Sequence, residues 1–127
     1  MKIPDNNPKS QYGIKKPALQ LVPPAATIYL AMGFTDGAEK YGPYNWRANE
    51  VSASVYVGAA LRHINEWWDG EESASDSGFP HIAHALSCLA IIADATETGN
   101  LIDDRPLPGA ASRMIKEYTD GRKAEKA

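Results

Sequence analysis

Hydrophobic positions recur at helical spacing in three separate stretches of this chain. In the first, Ala25, Ile28, Tyr29 and Met32 fall at i, i+3, i+4 and i+7, after a Pro23–Pro24 pair that suits a helix first turn. Gly33 and Gly37 weaken this helix, and Gly42 with Pro43 ends it. In the second, residues 51–69 carry Val57, Leu61, Ile64 and Trp68 as a core stripe, with Gly70 as the stop. The third starts near Pro80, with Ser77 or Asp76 assisting at its start, and sets Ile82, Leu86, Leu89 and Ala93 in its main stripe. Its sequence, HIAHALSCLAIIA, is apolar nearly all round, so it is expected to be the most buried element. A short last helix is predicted over residues 110–118, with Met114, Ile115 and Tyr118 on one side.

The segments between are polar and rich in Pro, Gly, Asn and Ser. Residues 1–17 read as a flexible N-terminal arm, YGPYNWR and EESASDSGFP as loops, and GNLIDDRPLPG as a turn-rich connector. Residues 18–120 then form a single helical domain, followed by a frayed tail over 121–127. No stretch has a strand pattern. The predicted class is all-α, an antiparallel helical bundle.

Composition narrows the function. With 127 residues, 43% of them hydrophobic, the chain can bury one modest core, and a homodimer or homotetramer is a natural way to complete it. A net charge of −3 argues against a nucleic-acid binder that works by neutralising phosphates. The basic residues at the two ends (Lys9, Lys15 and Lys16; Arg122, Lys123 and Lys126) read as solvated tails. A lone cysteine, Cys88, and the lack of an apolar leader or membrane-length run point to a cytoplasmic protein with no membrane partner.

The chemistry is concentrated in HINEWWDGEESASDSGFPHIAH, which holds all three histidines. On the second helix Ala60, His63, Trp67 and Glu71 form a stripe beside the core stripe; on the third, His81, His84 and Cys88 do the same. Two helices joined by a loop of about ten residues pack antiparallel, which brings His63, Trp67 and Glu71 opposite His81 and His84, with Asp76 in the loop beside them. Helical bundles build metal sites from such carboxylate and imidazole pairs. Glu71, Asp76, His81 and His84 are the metal-ligand candidates, Glu66, Glu71 and His63 the proton acceptors, and Lys40, Arg47 and Arg62 the phosphate partners. A structural reading stands beside this one: histidines hydrogen-bonded in a core, Trp67 and Trp68 packing, Cys88 a small core residue. The chain has no HD dipeptide, no HExxH, no Walker A and no GxSxG pattern.

The succession LVPPA, DGAEKYGPYNWR, ALRHINEWWDGE and DSGFPHIAHAL resembles the phage and bacterial family described as dATP/dGTP diphosphohydrolase, N-terminal domain, over residues from Lys16 to Ala93. That family is taken to be MazG-like, a group of all-α nucleotide pyrophosphohydrolases. The resemblance implies hydrolysis of a purine deoxynucleoside triphosphate to monophosphate and pyrophosphate with Mg²⁺ or Mn²⁺. It implies roles for Lys40, Asn45, Trp46, Arg47 and Arg62 in holding substrate, with Trp46 or Tyr44 stacking on the purine and Asn45 reading its edge. MazG-like enzymes hold metal with ExxE on one helix and ExxD on the next. This chain has no ExxE, and its ExxD, Glu66–Asp69, lies on the second helix. The i, i+3 pairs here are His63 with Glu66 and His81 with His84, which raises Mn²⁺, Co²⁺ or Zn²⁺ against Mg²⁺ and leaves open a helical module that binds nucleotides without hydrolysing them.

Overall fold

The computed structural model describes residues 5–126. Its elements in chain order are α1 (Pro8–Gly13), a 3-10 turn (Leu19–Leu21), α2 (Pro24–Tyr41), α3 (Asn45–Ala48), β1 (Val51–Ser52), α4 (Ala53–Trp68), α5 (His81–Thr98), β2 (Leu101–Ile102) and α6 (Ala111–Lys126). The all-α antiparallel class is as predicted. Among the described residues no helix is long and apolar enough to cross a membrane.

The centre of the fold is α5, which packs on α4 along one side and on α2 along another. It can lie between them because its inward positions are small or polar: His81, Ala83, His84, Ala85, Ser87 and Ala95 are buried. Gly99, at φ 73, closes it, and the Gly99 N–H donates to the Ala95 and Thr96 carbonyls. Gly33 of α2 meets α5 at closest approach. A Cβ built there would lie 2.5 Å from Ser87 Oγ and 2.6 Å from the Ala83 carbonyl oxygen. Contacts along α2 run in reverse order on α5, with Gly33 at Ser87 and Asp36 near His84, so the two helices are antiparallel. His63 near the end of α4 meets His81 at the start of α5, which makes that pair antiparallel too.

Several local expectations are corrected. The stretch 51–52 is not helical: Val51 and Ser52 pair in parallel with Leu101 and Ile102, a two-stranded ladder that ties the start of α4 to the end of α5. The Asp104 carboxylate completes this tie by accepting from the Ser54 N–H and hydroxyl in the first turn of α4. YGPYNWR contains the short helix α3, entered through Tyr44 at φ 58. Neither Ser77 nor Asp76 caps α5, whose N-cap is Pro80. The last helix runs on through Gly121 to Lys126, where a frayed tail was expected, and residues 8–13 of the expected arm are helical. Residues 1–4 of that arm and residue 127 of that tail lie outside the described residues.

The larger correction is one of phase. Val57, Leu61, Ile64 and Trp68, read as the core stripe of α4, are all exposed, Trp68 at 82%. The buried side of α4 is the neighbouring stripe, with Ala53 and Ala60 in the core and His63 half-buried. Similarly Ile28 and Tyr29 of α2 and Leu89 of α5 face outward, while Gly33 and Asp36 face in. As predicted, α5 is the most buried helix, but its interior is alanine, serine and imidazole and not the Ile82–Leu86–Leu89–Ala93 stripe. The buried hydrophobic set is Val51 and six alanines among the described residues.

Candidate active site

A cleft of about 550 Å³ opens between α2 and α4, with α5 as its floor. Gly33, Phe34, Asp36, Gly37 and Lys40 line one wall, Val55, Tyr56, Ala59, Arg62 and His63 the other, and His84, Ser87, Cys88 and Ile91 the floor; Asn45, Trp46 and Asp76 stand at its rim. Small residues on the floor and Gly37 on the wall make the space. Burial pushes both the Cys88 thiol and the Tyr56 phenol up from their ordinary pKa values, so both stay neutral.

One polar network crosses from α2 to the loop before α5. Lys40 Nζ lies 2.9 Å from Asp36 Oδ2, one turn back, and 3.2 Å from Asp76 Oδ2. The Asp36 carboxylate first, then Asp76, hold the Lys40 ammonium above its usual pKa, and Lys40 in turn holds Asp76 below the usual carboxylate range. Asp36 is buried, at 9% exposure, and its Oδ2 lies 4.0 Å from His84 Nδ1. The other His84 nitrogen, Nε2, is 2.7 Å from Ser77 Oγ, which already accepts the Phe79 N–H. The Ser77 hydroxyl and Nε2 thus share one hydrogen bond, while Nδ1 faces the Asp36 carboxylate. Burial lowers the His84 pKa and Asp36 partly offsets it.

A second cluster joins α4 to α5. His63 Nδ1 is 2.9 Å from His81 Nδ1, and Glu66 Oε2 is 3.3 Å from the same His81 nitrogen. His81 Nε2 is 2.7 Å from Glu71 Oε1. His81 is almost wholly buried at 1%, whereas Glu66 and Glu71 reach solvent. His63 stacks on His84, ring centroids 4.6 Å apart, so the two networks meet at that contact. Burial, then the neighbouring His84 and His81 rings, lowers the His63 pKa and keeps that imidazole neutral. One ligand atom each from His63, Glu66 and His81 lie within 4.8 Å of one another.

At the rim, Asp94 of α5 fixes the α3 segment. Its carboxylate accepts from Trp46 Nε1 at 3.0 Å and from Arg47 Nη2 at 2.8 Å, and Arg47 Nε also bonds to it. Asn100 donates to the Trp46 and Asn49 carbonyls at 2.6 Å each. Trp46 packs on Phe34, with centroids 4.8 Å apart, and lines the cleft.

Lys40, Asn45, Trp46, Arg62, His63, Asp76 and His84 therefore line one cleft. Arg47 does not: its guanidinium is occupied by Asp94 on an outer face. The predicted ligand set of Glu71, Asp76, His81 and His84 is split between the two networks. Glu71 joins His81, while Asp76 joins Lys40 and His84 joins Ser77. Glu66, a proton-acceptor candidate, approaches His81 from α4. Sequence reasoning missed Asp36 and Asp94. The first had a local signal, an acid four residues before Lys40 on an otherwise small or apolar helix; the second had none, because its partners lie 47 and 48 residues away.

Residues 6–105 match the family described as dATP/dGTP diphosphohydrolase, N-terminal. No curated protein and no solved structure matches the chain.

Proposed function

The chain belongs to the dATP/dGTP diphosphohydrolase N-terminal family, and on that premise we propose that the cleft binds a purine deoxynucleoside triphosphate and cleaves it to the monophosphate and pyrophosphate with a divalent cation. The observation that carries this reading is Arg62. It lines the cleft without a carboxylate partner among the described residues, between an aromatic rim and the imidazole cluster. A cation left unpaired in a cleft of this size, within the usual range of about 300–1,000 Å³ for small-molecule sites, suits an anionic ligand.

Trp46, held by Asp94 and Phe34, offers a ring face to a purine, and Asn45 beside it offers an amide to the base edge. Arg62 and Lys40 take the phosphates, Lys40 by exchanging Asp76 for a phosphate oxygen. Arg47 acts from outside, as a brace for the α3 segment. A divalent cation supplies charge neutralisation at phosphate oxygens and acidifies water. The donors that fit it are His63, Glu66 and His81, a mixed nitrogen and oxygen set of which His63 lines the cleft. The oxygen of water bonds to the α-phosphorus, the bond from that phosphorus to the bridging oxygen breaks, and pyrophosphate leaves. Glu66 and Glu71, the carboxylates beside His81, are the proposed acceptors of that water's proton. The biological setting proposed is control of nucleotide pools during phage replication. The working unit is taken to be a homodimer or homotetramer, because the apolar side of α4 is uncovered in the single chain.

The test is to incubate purified protein with each dNTP and Mg²⁺, Mn²⁺ or Co²⁺ and to separate the products. Monophosphate plus pyrophosphate is expected, with purines preferred. Tripolyphosphate would move the attack to the nucleoside side, and no turnover with any metal would reduce the cleft to a binding site. Arg62→Ala is expected to lower kcat/KM about 10- to 100-fold, the loss of one charge-assisted contact of about 1.5–3 kcal/mol.

A further inference from the structure

We propose that His63, Glu66 and His81 form an open three-ligand centre selective for a divalent transition-metal ion, oriented from behind by Glu71. The inference takes its catalytic meaning from the hydrolase reading above, but the binding itself is independent of nucleotide.

The first support is geometric. Donor atoms about 2.0–2.1 Å from a tetrahedral ion stand roughly 3.3 Å from each other. The two Nδ1 atoms are 2.9 Å apart, and Glu66 Oε2 is 3.3 Å from His81 Nδ1. All three donor atoms lie within 4.8 Å of one another.

The second is the allocation of protons. His81 Nε2 faces the Glu71 carboxylate at 2.7 Å, so it carries the proton and donates it. Neutral His81 then has only a lone pair on Nδ1, and Glu66 Oε2, also an acceptor, lies 3.3 Å from it. Two acceptors face each other in a pocket where His81 is almost fully buried. His63 Nδ1, 2.9 Å from the same nitrogen, can meet that lone pair with a proton, and a cation can take the place of that proton. A histidine whose remote nitrogen is bonded to a carboxylate is the usual arrangement behind a metal-ligating imidazole.

The third is access. His81 is rigidly enclosed, Glu66 is 53% exposed on the outer side, and His63 lines the cleft. Three protein ligands with one side open is the form of a site that leaves a coordination position free. Asp36 and Asp76, the nearest other carboxylates on the cleft, are engaged by Lys40. Two imidazoles and one carboxylate favour ions of the Mn to Zn series over Mg²⁺, which takes oxygen ligands and keeps its waters.

Metal-stripped full-length protein, without nucleotide, should be titrated with Co²⁺ and followed by visible ligand-field absorption. One Co²⁺ per chain is expected, displaced by Zn²⁺ and not by equimolar Mg²⁺. Glu66→Gln and His63→Gln should each weaken Co²⁺ binding by about 100-fold or more, and Glu71→Gln by about 10- to 100-fold with unchanged stoichiometry. Each variant should keep the wild-type helical circular dichroism. Absence of Co²⁺ binding would overturn the centre in favour of a hydrogen-bonded His63–His81–Glu71 chain. So would binding that both first-ligand variants leave unchanged, or displacement by equimolar Mg²⁺. Co²⁺ binding by all these criteria without dNTP turnover would leave the centre standing and remove the hydrolase reading. Turnover with Mg²⁺ in a protein that binds no Co²⁺ would do the reverse.

Discussion

Asp94 receives the Arg47 guanidinium on both carboxylate oxygens and the Trp46 indole on Oδ2. The guanidinium, and then the indole N–H, hold this carboxylate below the usual range. A depressed pKa means that the bond contributes above the unfolded-state pKa and is lost as pH falls through the lower folded value. The rim is therefore expected to keep its shape through mildly acidic pH and to loosen only below the ordinary carboxylate range. The check is an acid titration of Trp46 fluorescence in a Trp67→Phe, Trp68→Phe background. Asp94→Asn should shift the wild-type signal toward its acid form at neutral pH and weaken nucleotide binding several-fold, with the helical spectrum retained. Legibility at this scale depended on distance along the chain. Lys40, Trp46, Arg62 and the histidines stand out by residue type within a polar segment, and the structure brings most of them to one cleft. Partners such as Asp94 are chosen by the fold, not by local pattern.

Between elements, the contact of α2 with α5 at Gly33 sets how closely the cleft walls can stand. With Ser87 Oγ, the Ala83 carbonyl and Ser87 Cβ all within 2.8 Å of a hypothetical Cβ, Gly33→Ala has no room on the α5 side. Overpacking of this kind costs about 1–3 kcal/mol, expected as a lower urea midpoint with an unchanged m-value. Gly37→Ala meets nothing within 4 Å and should gain up to about 1 kcal/mol from helix propensity. Equal effects of the two substitutions would refute the close-contact account. The helices themselves were legible, since period, Pro23–Pro24, Gly42 and Pro80 bound α2 and α5 closely. Which face turned inward was not. Hydrophobicity alone selected Val57, Leu61, Ile64 and Trp68, but close packing of α5 against two helices selected the small residues.

At the scale of the whole molecule, a folded monomer of 13.8 kDa exposes about 6,600 Å², while this chain exposes 9935 Å². The excess over that scaling is about 3,300 Å² for one chain, more than the roughly 1,000–2,500 Å² per partner that an obligate interface covers. The side of α4 bearing Val57, Leu61, Ile64 and Trp68 supplies a continuous apolar part of it, and α6 adds Met114, Ile115 and Tyr118 without extensive packing on any other element. The stripe read from the sequence is thus a hydrophobic face whose expected cover is a second copy of the chain. Sedimentation should find a dimer or larger species, and Leu61→Asp should shift it toward monomer and lower Tm; a wild-type monomer at every concentration would exclude that cover. The β1–β2 ladder has its own bearing on the whole. It stitches the two ends of the α4–α5 hairpin together, so residues 51–102 form a closed unit that contains the complete His63–Glu66–His81 cluster. Lys40, Asn45 and Trp46 belong to the segment laid against that unit, and the cleft is the seam between the two pieces. A molecule bound there is a cross-strut, and its departure requires only that the seam part while the stitched unit stays whole.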